Sequence, residues 1–459
     1  MSRKVALLVM LVVFGLIVTA CGAQPAQEPA PATEAAAPAA TEEVAALAVT
    51  EEAAAPATEE AAPATEEAAV ATEEVAAPAG DAPEAIEIGA VVPLTGPFAG
   101  GGAQVKAGYE MAVENINKAG GIYVKAYDAQ IPIHLTLLDD ESDPTKTVSH
   151  LESLYGDQDV VAYLGGFGSS LHAAAAAIAE KNKVPYLGVA FAYWGIHQQG
   201  YKYLFSPFWK SPDIARTVFE FLNEAVPEDQ RPTKVAIFQE QTDWGIEMAG
   251  LWQENAPQYG YEVVVHEEYA PGATDFSDMI LKAQAAEADA VFALPTPPDG
   301  IAIFKQMGEL DYTPKFSFFV RAPDAPAWGK ELGPVGDYVT LGPGWHNAMN
   351  FPGVEELNQA YQAQFDRPAD PMVGPSYAAV QILADAIERA GTLDRDQIRE
   401  AVAATDLETM VGPVTFNEDG TGKVSSPILQ YQQGKVELVW PKEFATADFV
   451  YPAPPWSER

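Results

Sequence analysis

The sequence predicts an α/β fold: two similar lobes, each built on a mainly parallel sheet. Short apolar runs alternate with helix-patterned segments from residue 86 to about residue 320, the rhythm of strand–helix–strand crossover units. One complete unit is visible at Ala162–Ala192, which reads AYLGGFGSSLHAAAAAIAEKNKVPYLGVAFA. A second run of the same rhythm begins near Pro212, and each run is of a size for one domain.

In the complete unit, Val161–Leu164 is an apolar run short enough for a buried strand. Gly165, Gly166 and Gly168 then permit a tight turn. Ser169 and Ser170 stand where a helix N-cap belongs, Ala173–Ile178 is strongly helix-forming, and Pro185 precedes a second strand at Tyr186–Val189. The helix start faces the carboxyl edge of the sheet, where free N–H groups and the helix dipole favour an anion. Two hydroxyls flank that point. Either these residues bind a small carboxylate or other polar head group, or they are turn and cap residues only.

The ends of the chain read differently. Arg3 and Lys4 precede an apolar core, Val5 to Val18, of signal-peptide length and short for a membrane span. Val18-Thr19-Ala20-Cys21-Gly22 follows and resembles a bacterial lipobox, which implies cleavage before Cys21 and lipid attachment to its sulfur. Residues 22–85 are dominated by Ala, Pro, Thr and Glu, with repeats such as Ala-Pro-Ala-Thr-Glu-Glu at 55–60 and 62–67. Such a composition reads as a disordered, self-repelling tether. The chain carries 26 Lys and Arg against 65 Asp and Glu, a formal charge of −39. That balance argues against nucleic acid as a partner. Cys21 is the only cysteine, which excludes an intrachain disulfide and a thiolate metal site, and the six His show no metal-ligand spacing.

From Ile86 the elements follow in order. A strand at Glu87–Val92 leads through a Pro- and Gly-rich loop to a helix from Ala103 to about Ala119. A strand at Ile131–Asp139 and a helix at Thr145–Tyr155 come next; Asp143-Pro144 reads as the cap of that helix rather than as part of a calcium site. After the complete unit, helices are expected at Ile214–Ala225, Ile246–Gln258, Phe276–Ala285 and Gly300–Leu310. They alternate with strands at Val235–Gln239, Tyr261–Tyr269, Ala288–Leu294 and Lys315–Val320. Pro295–Pro298 reads as a turn, Arg321–Trp328 as a loop and Val339–Gly342 as a strand. Helices at Gly353–Gln364, Tyr377–Ala390 and Arg395–Ala403 follow, then short β segments over Gly412–Trp440. Ligand sites in such sheets lie outside the carboxyl ends of the strands, so two facing lobes place a site between them.

Several motifs resemble one family. They are Gly89-Ala90-Val91-Val92-Pro93-Leu94-Thr95-Gly96 through Gly108, Asn115 with Gly120-Gly121, Asp139–Pro144, Gly165–Ser170 and Asp243-Trp244-Gly245. Together they resemble the branched-chain amino-acid-binding proteins of ABC importers, which are type I extracytoplasmic solute-binding proteins. The resemblance implies two Rossmann-like lobes, a hinge crossed three times near Phe205–Trp209, Val339–Trp345 and Pro413–Gly422, and closure on a small ligand. It divides the chain into residues 1–21 (signal peptide), 22–85 (tether), 86–207 (first lobe), 208–341 (second lobe), 342–413 (first lobe again), 414–445 (second-lobe strands) and 446–459 (tail).

The resemblance also implies site residues. Gly168, Ser169 and Ser170 match the carboxylate-binding turn, with Phe167 beside them. Ala190, Phe191, Ala192 and Tyr193 match the second site strand, with Ala192 where the family usually has Ser or Thr. Trp244 stands where an Asp-Tyr-Gly motif has Tyr, and Thr296 follows a second-lobe strand. An acidic group for a ligand ammonium is expected near Arg321–Asp324: Asp324 serves, or Arg321 brings a positive charge instead. The family's first-loop aromatic aligns near Gly101. These departures widen the ligand class to organic or aromatic acids, amides and short peptide-like solutes. His172 is expected at the polar rim.

An enzyme is not expected: no Gly-x-Ser-x-Gly elbow, P-loop or paired nucleophile and base is present. No cofactor is expected. The implied protein is a monomeric, extracytoplasmic lipoprotein anchored to the bacterial cell membrane, serving a permease and ATPase. A ligand-sensing lobe pair, and then a hydrolase using the same cleft, are the alternatives.

Overall fold

A computed structural model describes residues 81–459. The signal peptide, Cys21 and most of the Ala/Pro/Thr/Glu segment lie outside the described residues. No helix among the described residues is long and apolar enough to cross a membrane.

The first lobe begins with β1 (Ile86–Val92), α1 (Ala99–Lys118), a small hairpin of β2 (Ile122–Val124) and β3 (Ala129–Ile131), and β4 (Ile133–Asp139). Then come α2 (Pro144–Gln158), β5 (Ala162–Leu164), α3 (Ser169–Asn182), β6 (Tyr186–Leu187) and β7 (Leu204–Phe205). Its sheet has the order β4-β1-β5-β6-β7, and every pair is parallel. The second lobe runs α4 (Ser211–Ala225), β8 (Lys234–Glu240), α5 (Asp243–Tyr259), β9 (Glu262–Tyr269), α6 (Ser277–Ala285) and β10 (Ala290–Ala293). It continues with α7 (Pro297–Glu309), β11 (Phe316–Phe319), α8 (Ala327–Leu332) and β12 (Thr340–Leu341). The chain then forms α9 (Val354–Phe365), α10 (Val373–Ala390), α11 (Arg395–Ala403) and the hairpin β13 (Asp406–Thr409) with β14 (Gly412–Thr415). It ends its regular structure in β15 (Ile428–Gln432) and β16 (Lys435–Trp440). The second sheet has the order β16-β15-β12-β11-β10-β8-β9; β15 and β16 are its antiparallel edge.

Both sheets change direction beside their first strand. β1 lies between β4 and β5, and β8 between β9 and β10. A crevice opens at such a switch point because the flanking helices lie on opposite faces of the sheet. In the first lobe the crevice is bordered by the segments after β1 and β5, in the second by those after β8 and β10. The sequence thereby selects which loops can form a site.

Three segments join the two sheets. The first follows β7, the second follows β12, and the third runs from β14 to β15. Ser206 in the first pairs with Thr421 in the third as a parallel bridge, with Ser206 N donating to Gly420 O at 2.9 Å. In the second, Gly344 has φ +88°, and a Cβ there would stand 2.7 Å from the Trp209 indole nitrogen. Glycine is needed there for conformation and for space, so the second crossing packs directly on the first. Helix α10 returns to the first lobe and lies on α1; a Cβ on Gly108 would come within 2.5 Å of Val373 O.

Several sequence expectations need correction. Helix α3 starts at Ser169 itself, with Gly168 in the cap position at φ +104° and no side-chain cap. Ser169 and Ser170 are thus first-turn residues, because only glycine accommodates that cap conformation readily. Pro297 and Pro298 open α7 rather than forming a turn, as a first turn has no use for the missing N–H. The segment read as a loop at Arg321–Trp328 holds a 3-10 turn, Ala322–Asp324, and the start of α8. Residues 446–459, read as a tail, lie against the second lobe. Gln430 Nε2 donates to Val450 O at 3.0 Å, Phe449 packs 4.8 Å from Phe221, and Trp456 packs 5.1 Å from Phe304.

Candidate functional site

The loops at the two switch points face each other across a cleft. In the first lobe, Asp139 Oδ1 accepts hydrogen bonds from Leu94 N and Glu141 N, both at 2.8 Å, and so fixes the loop after β1. Asp143 caps α2 through Thr145 N at 2.7 Å. The acidic cluster there is therefore committed to loop and cap bonds. Phe98 projects from this loop and lies 6.1 Å from the Phe167 ring. A Cβ on Gly101 would stand only 2.3 Å from that Phe167 ring. Phe167 thus fills the space that a side chain at Gly101 would take.

A small inner cavity lies between the lobes. Phe167, Gly168, Ser169, Ala190, Phe191 and Ala192 line it from the first lobe, and Trp244, Val320, Arg321 and Asp324 from the second. Phe208, Trp209, Gly342 and Pro343 line it from the first two crossings, and Met372 from the segment before α10. A larger outer cavity shares Ser169, Trp244 and Arg321 and adds Phe98, Ser170, Tyr193, Asp243 and Thr296. Every residue expected from the resemblance to bind the ligand borders one of the two, whereas His172, expected at the rim, borders neither. The sequence reading missed Phe98, Phe208, Trp209, Gly342, Pro343 and Met372. Their signal was position alone: Phe208, Trp209, Gly342 and Pro343 lie on the very segments expected to cross between lobes.

The start of α3 presents first-turn N–H groups that no side chain caps. Ser169 Oγ accepts a long bond of 3.4 Å from Tyr193 N, which leaves capacity for another partner. Ala190 holds φ +53°, a conformation costly for a side-chain-bearing residue and common at ligand-binding loops. The Phe191 ring is already engaged: it stacks on His172 at 4.3 Å and lies 3.5 Å beneath the Lys210 ammonium. His172 is not a rim residue. It is wholly buried, its Nδ1 donates to Gly168 O at 2.8 Å, and burial pushes its pKa down to about 3. The apolar face of α3 turns inward at that position, and the neutral ring supports the Gly168 cap from beneath.

In the second lobe, Trp244 Nε1 donates to Ser211 Oγ at 3.0 Å, and Ser211 Oγ donates to Ala192 O at 2.9 Å. The indole is thereby linked through the first residue of α4 to the first lobe. Thr296 Oγ1 accepts from Asp299 N at 3.4 Å and caps α7. Arg321 does not offer a free positive charge. Its Nη2 donates to Glu240 Oε2 at 2.6 Å and its Nε to Pro295 O at 2.9 Å, with both ionic side chains buried. Its guanidinium lies 4.9 Å from the Trp244 ring and 5.4 Å from Phe98 of the other lobe. Glu240, at the carboxyl end of β8, was not read from the sequence as a site residue, although strand ends are where such groups gather.

Asp324 differs from all of these. It is 4% exposed, and neither carboxylate oxygen has a hydrogen-bond partner among the described residues. Its backbone is fixed from the first lobe, where Gln104 Nε2 donates to Asp324 O at 2.9 Å and Gln104 Oε1 accepts from Met372 N at 3.1 Å. Burial pushes the Asp324 carboxyl well above its ordinary pKa, and Arg321 only partly opposes this. A buried carboxyl without partners demands either a proton or a cation. Among the described residues, no group of His, Cys, Asp and Glu is arranged to hold a metal ion.

Residues 85–435 match the family described as "Periplasmic binding protein". The chain belongs to that family. Among curated members, "Leu/Ile/Val-binding protein homolog 7" of Brucella abortus is 24% identical over 393 residues, 82% of this chain and 96% of the relative. "Leu/Ile/Val-binding protein homolog 3" of Brucella melitensis is 27% identical over 357 residues, 76% of this chain and 92% of the relative. The fold is that of solved family members. A leucine-binding protein of Thermotoga maritima superposes with a TM-score of 0.70 at 22% identity, covering 77% of this chain and 97% of that one. A solute-binding protein of R. palustris in complex with benzoate superposes at 0.68 with 17% identity, covering 80% and 98%.

Proposed function

We propose that this protein is the substrate-binding lipoprotein of an ABC importer, and that it captures a small α-amino acid by closure of its two lobes. One observation carries the reading. A single cavity holds both the uncapped start of α3, with Ser169, and the unpartnered carboxylate of Asp324 from the other lobe. A carboxylate suits the first and an ammonium the second, so a zwitterion bridges the lobes and makes more contacts in the closed state than in the open one. Because Arg321 is neutralised by Glu240, the ligand carboxylate relies on backbone amides and hydroxyls. The apolar walls, Phe208, Trp209, Val320 and Met372, suit an aliphatic or aromatic side chain. The names of the Brucella relatives, and a Desulfitobacterium hafniense binding protein solved with Leu (TM-score 0.66, 19% identity, covering 78% of this chain and 100% of that one), support an amino acid.

The action is capture and release with hinge closure, and it requires no bond-making step. Cys21, directly after a secretory core, supplies the lipid anchor; a permease and ATPase receive the ligand. The test is calorimetry with L-leucine, L-isoleucine, L-valine and L-phenylalanine, each against its deaminated analogue and against benzoate. At least one amino acid should bind, and its deaminated analogue should bind far more weakly. Equal binding of the pair would refute the role of Asp324, and no binding by any amino acid would refute the ligand class.

A further inference from the structure

One ionisable side chain joins the lobes without lining either ligand cavity. Glu247 lies on α5 of the second lobe. Its Oε1 accepts the backbone N–H of Trp194 and its Oε2 that of Gly195, each at 2.9 Å. Both donors belong to the turn after β6 in the first lobe. Two consecutive amides on one carboxylate form a bidentate, charge-assisted grip. The gripped turn is attached to the hinge as well, since His197 Nδ1 donates to Asp419 O of the third crossing at 2.8 Å. It is also tight: a Cβ on Gly195 would stand 2.6 Å from the Tyr193 ring. Holding Gly195 therefore also holds Tyr193, which borders the outer cavity.

We propose that Glu247 is a closure clasp: a positioning residue that sets the balance between open and closed lobes without touching the ligand. Rotation of α5 away from the first lobe breaks both bonds at once, so the carboxylate favours the closed arrangement only. Gln104 also bridges the lobes, but it does so through Asp324 and cannot be altered without disturbing the site. Glu247 can be altered while every cavity-lining side chain is kept. This assignment is independent of which solute fills the cleft.

The test uses the full chain with Cys21→Ser, spin-labelled at Lys118→Cys on the first lobe and Glu309→Cys on the second. Interlobe distances are measured with and without saturating L-leucine, and amide exchange is followed over residues 191–199. Glu247→Ala should shrink the short-distance population and speed exchange at Trp194 and Gly195 by about tenfold or more. Glu247→Gln, which keeps the shape and one acceptor oxygen, should fall between, and it carries the test if the alanine variant does not fold. Faster exchange with an unchanged distance distribution would reduce Glu247 to a local support of the turn and overturn the proposal. So would variants that match the parent chain in both measurements.

Discussion

Replacing Asp324 by Asn tests the central chemistry, because it should move affinity and pH-dependent stability independently. Both Asp324 oxygens are buried without a partner, and burial holds the carboxyl well above its ordinary value of 3.8. The folded chain thus keeps a proton that the unfolded chain has already released. For a group of this sign, stability falls as pH rises from about 4 toward the raised folded value, by about 1.4 kcal/mol per pH unit. The D324N chain lacks this slope. The slope must be read as the difference between variant and parent, because buried His172 and His197 titrate in the acid range with the opposite sign. Binding should respond in the other direction. Removing one partner of a buried charge pair costs about 2–5 kcal/mol, so affinity for L-leucine should fall about thirtyfold or more. An ammonium-bearing ligand must also displace the proton, so its affinity for the parent chain should rise with pH through the same window. Urea unfolding in steps from pH 4 to pH 8, with calorimetry at each step, measures both. Unchanged affinity together with an unchanged slope would refute the assignment of Asp324.

Three further outcomes are expected. Ser169→Ala with Ser170→Ala should weaken ligand binding by about 2–4 kcal/mol with little change in unfolding midpoint; calorimetry beside a melting curve separates the two effects. Glu240→Gln leaves buried Arg321 without its ionic partner and should destabilise the fold by about 3–5 kcal/mol in urea unfolding, far more than an exposed pair such as Lys106–Glu110 would cost. His172 stays neutral in the folded chain down to a pKa of about 3, whereas the unfolded chain takes up a proton near pH 6.5. Its stabilisation is therefore lost as pH falls from 6.5 toward 3, by up to about 4–5 kcal/mol. His172→Asn, which can still donate to Gly168 O, should flatten that part of the acid limb.

Much of the fold was legible because each element announces itself locally. The glycines before Ser169, the alanine run of α3, Asp143-Pro144 before α2 and the apolar strands β8 and β10 carry their own conformational preferences. The boundaries that failed were those decided by a single backbone conformation, such as the cap at Gly168. Segments whose partners are distant failed too, such as residues 446–459, whose Phe449 is ordered by Phe221 from another part of the chain.

The sequence by itself determined the α/β rhythm and which loops end at the carboxyl edges of the sheets, because strand and helix signals depend on near neighbours along the chain. The family resemblance, not these local signals, pointed to the residues that border the inner cavity, from Phe167 and Ser169 to Trp244, Arg321 and Asp324. Only the tertiary structure decided what each of these does. Arg321 and Asp324 are three residues apart and carry opposite formal charges in the sequence. Burial beside Glu240 neutralises the first, while burial among groups that offer no donor leaves the second seeking a cation. Charge in a folded chain is set by distance through space and loss of water, and neither quantity is written in the order of the residues.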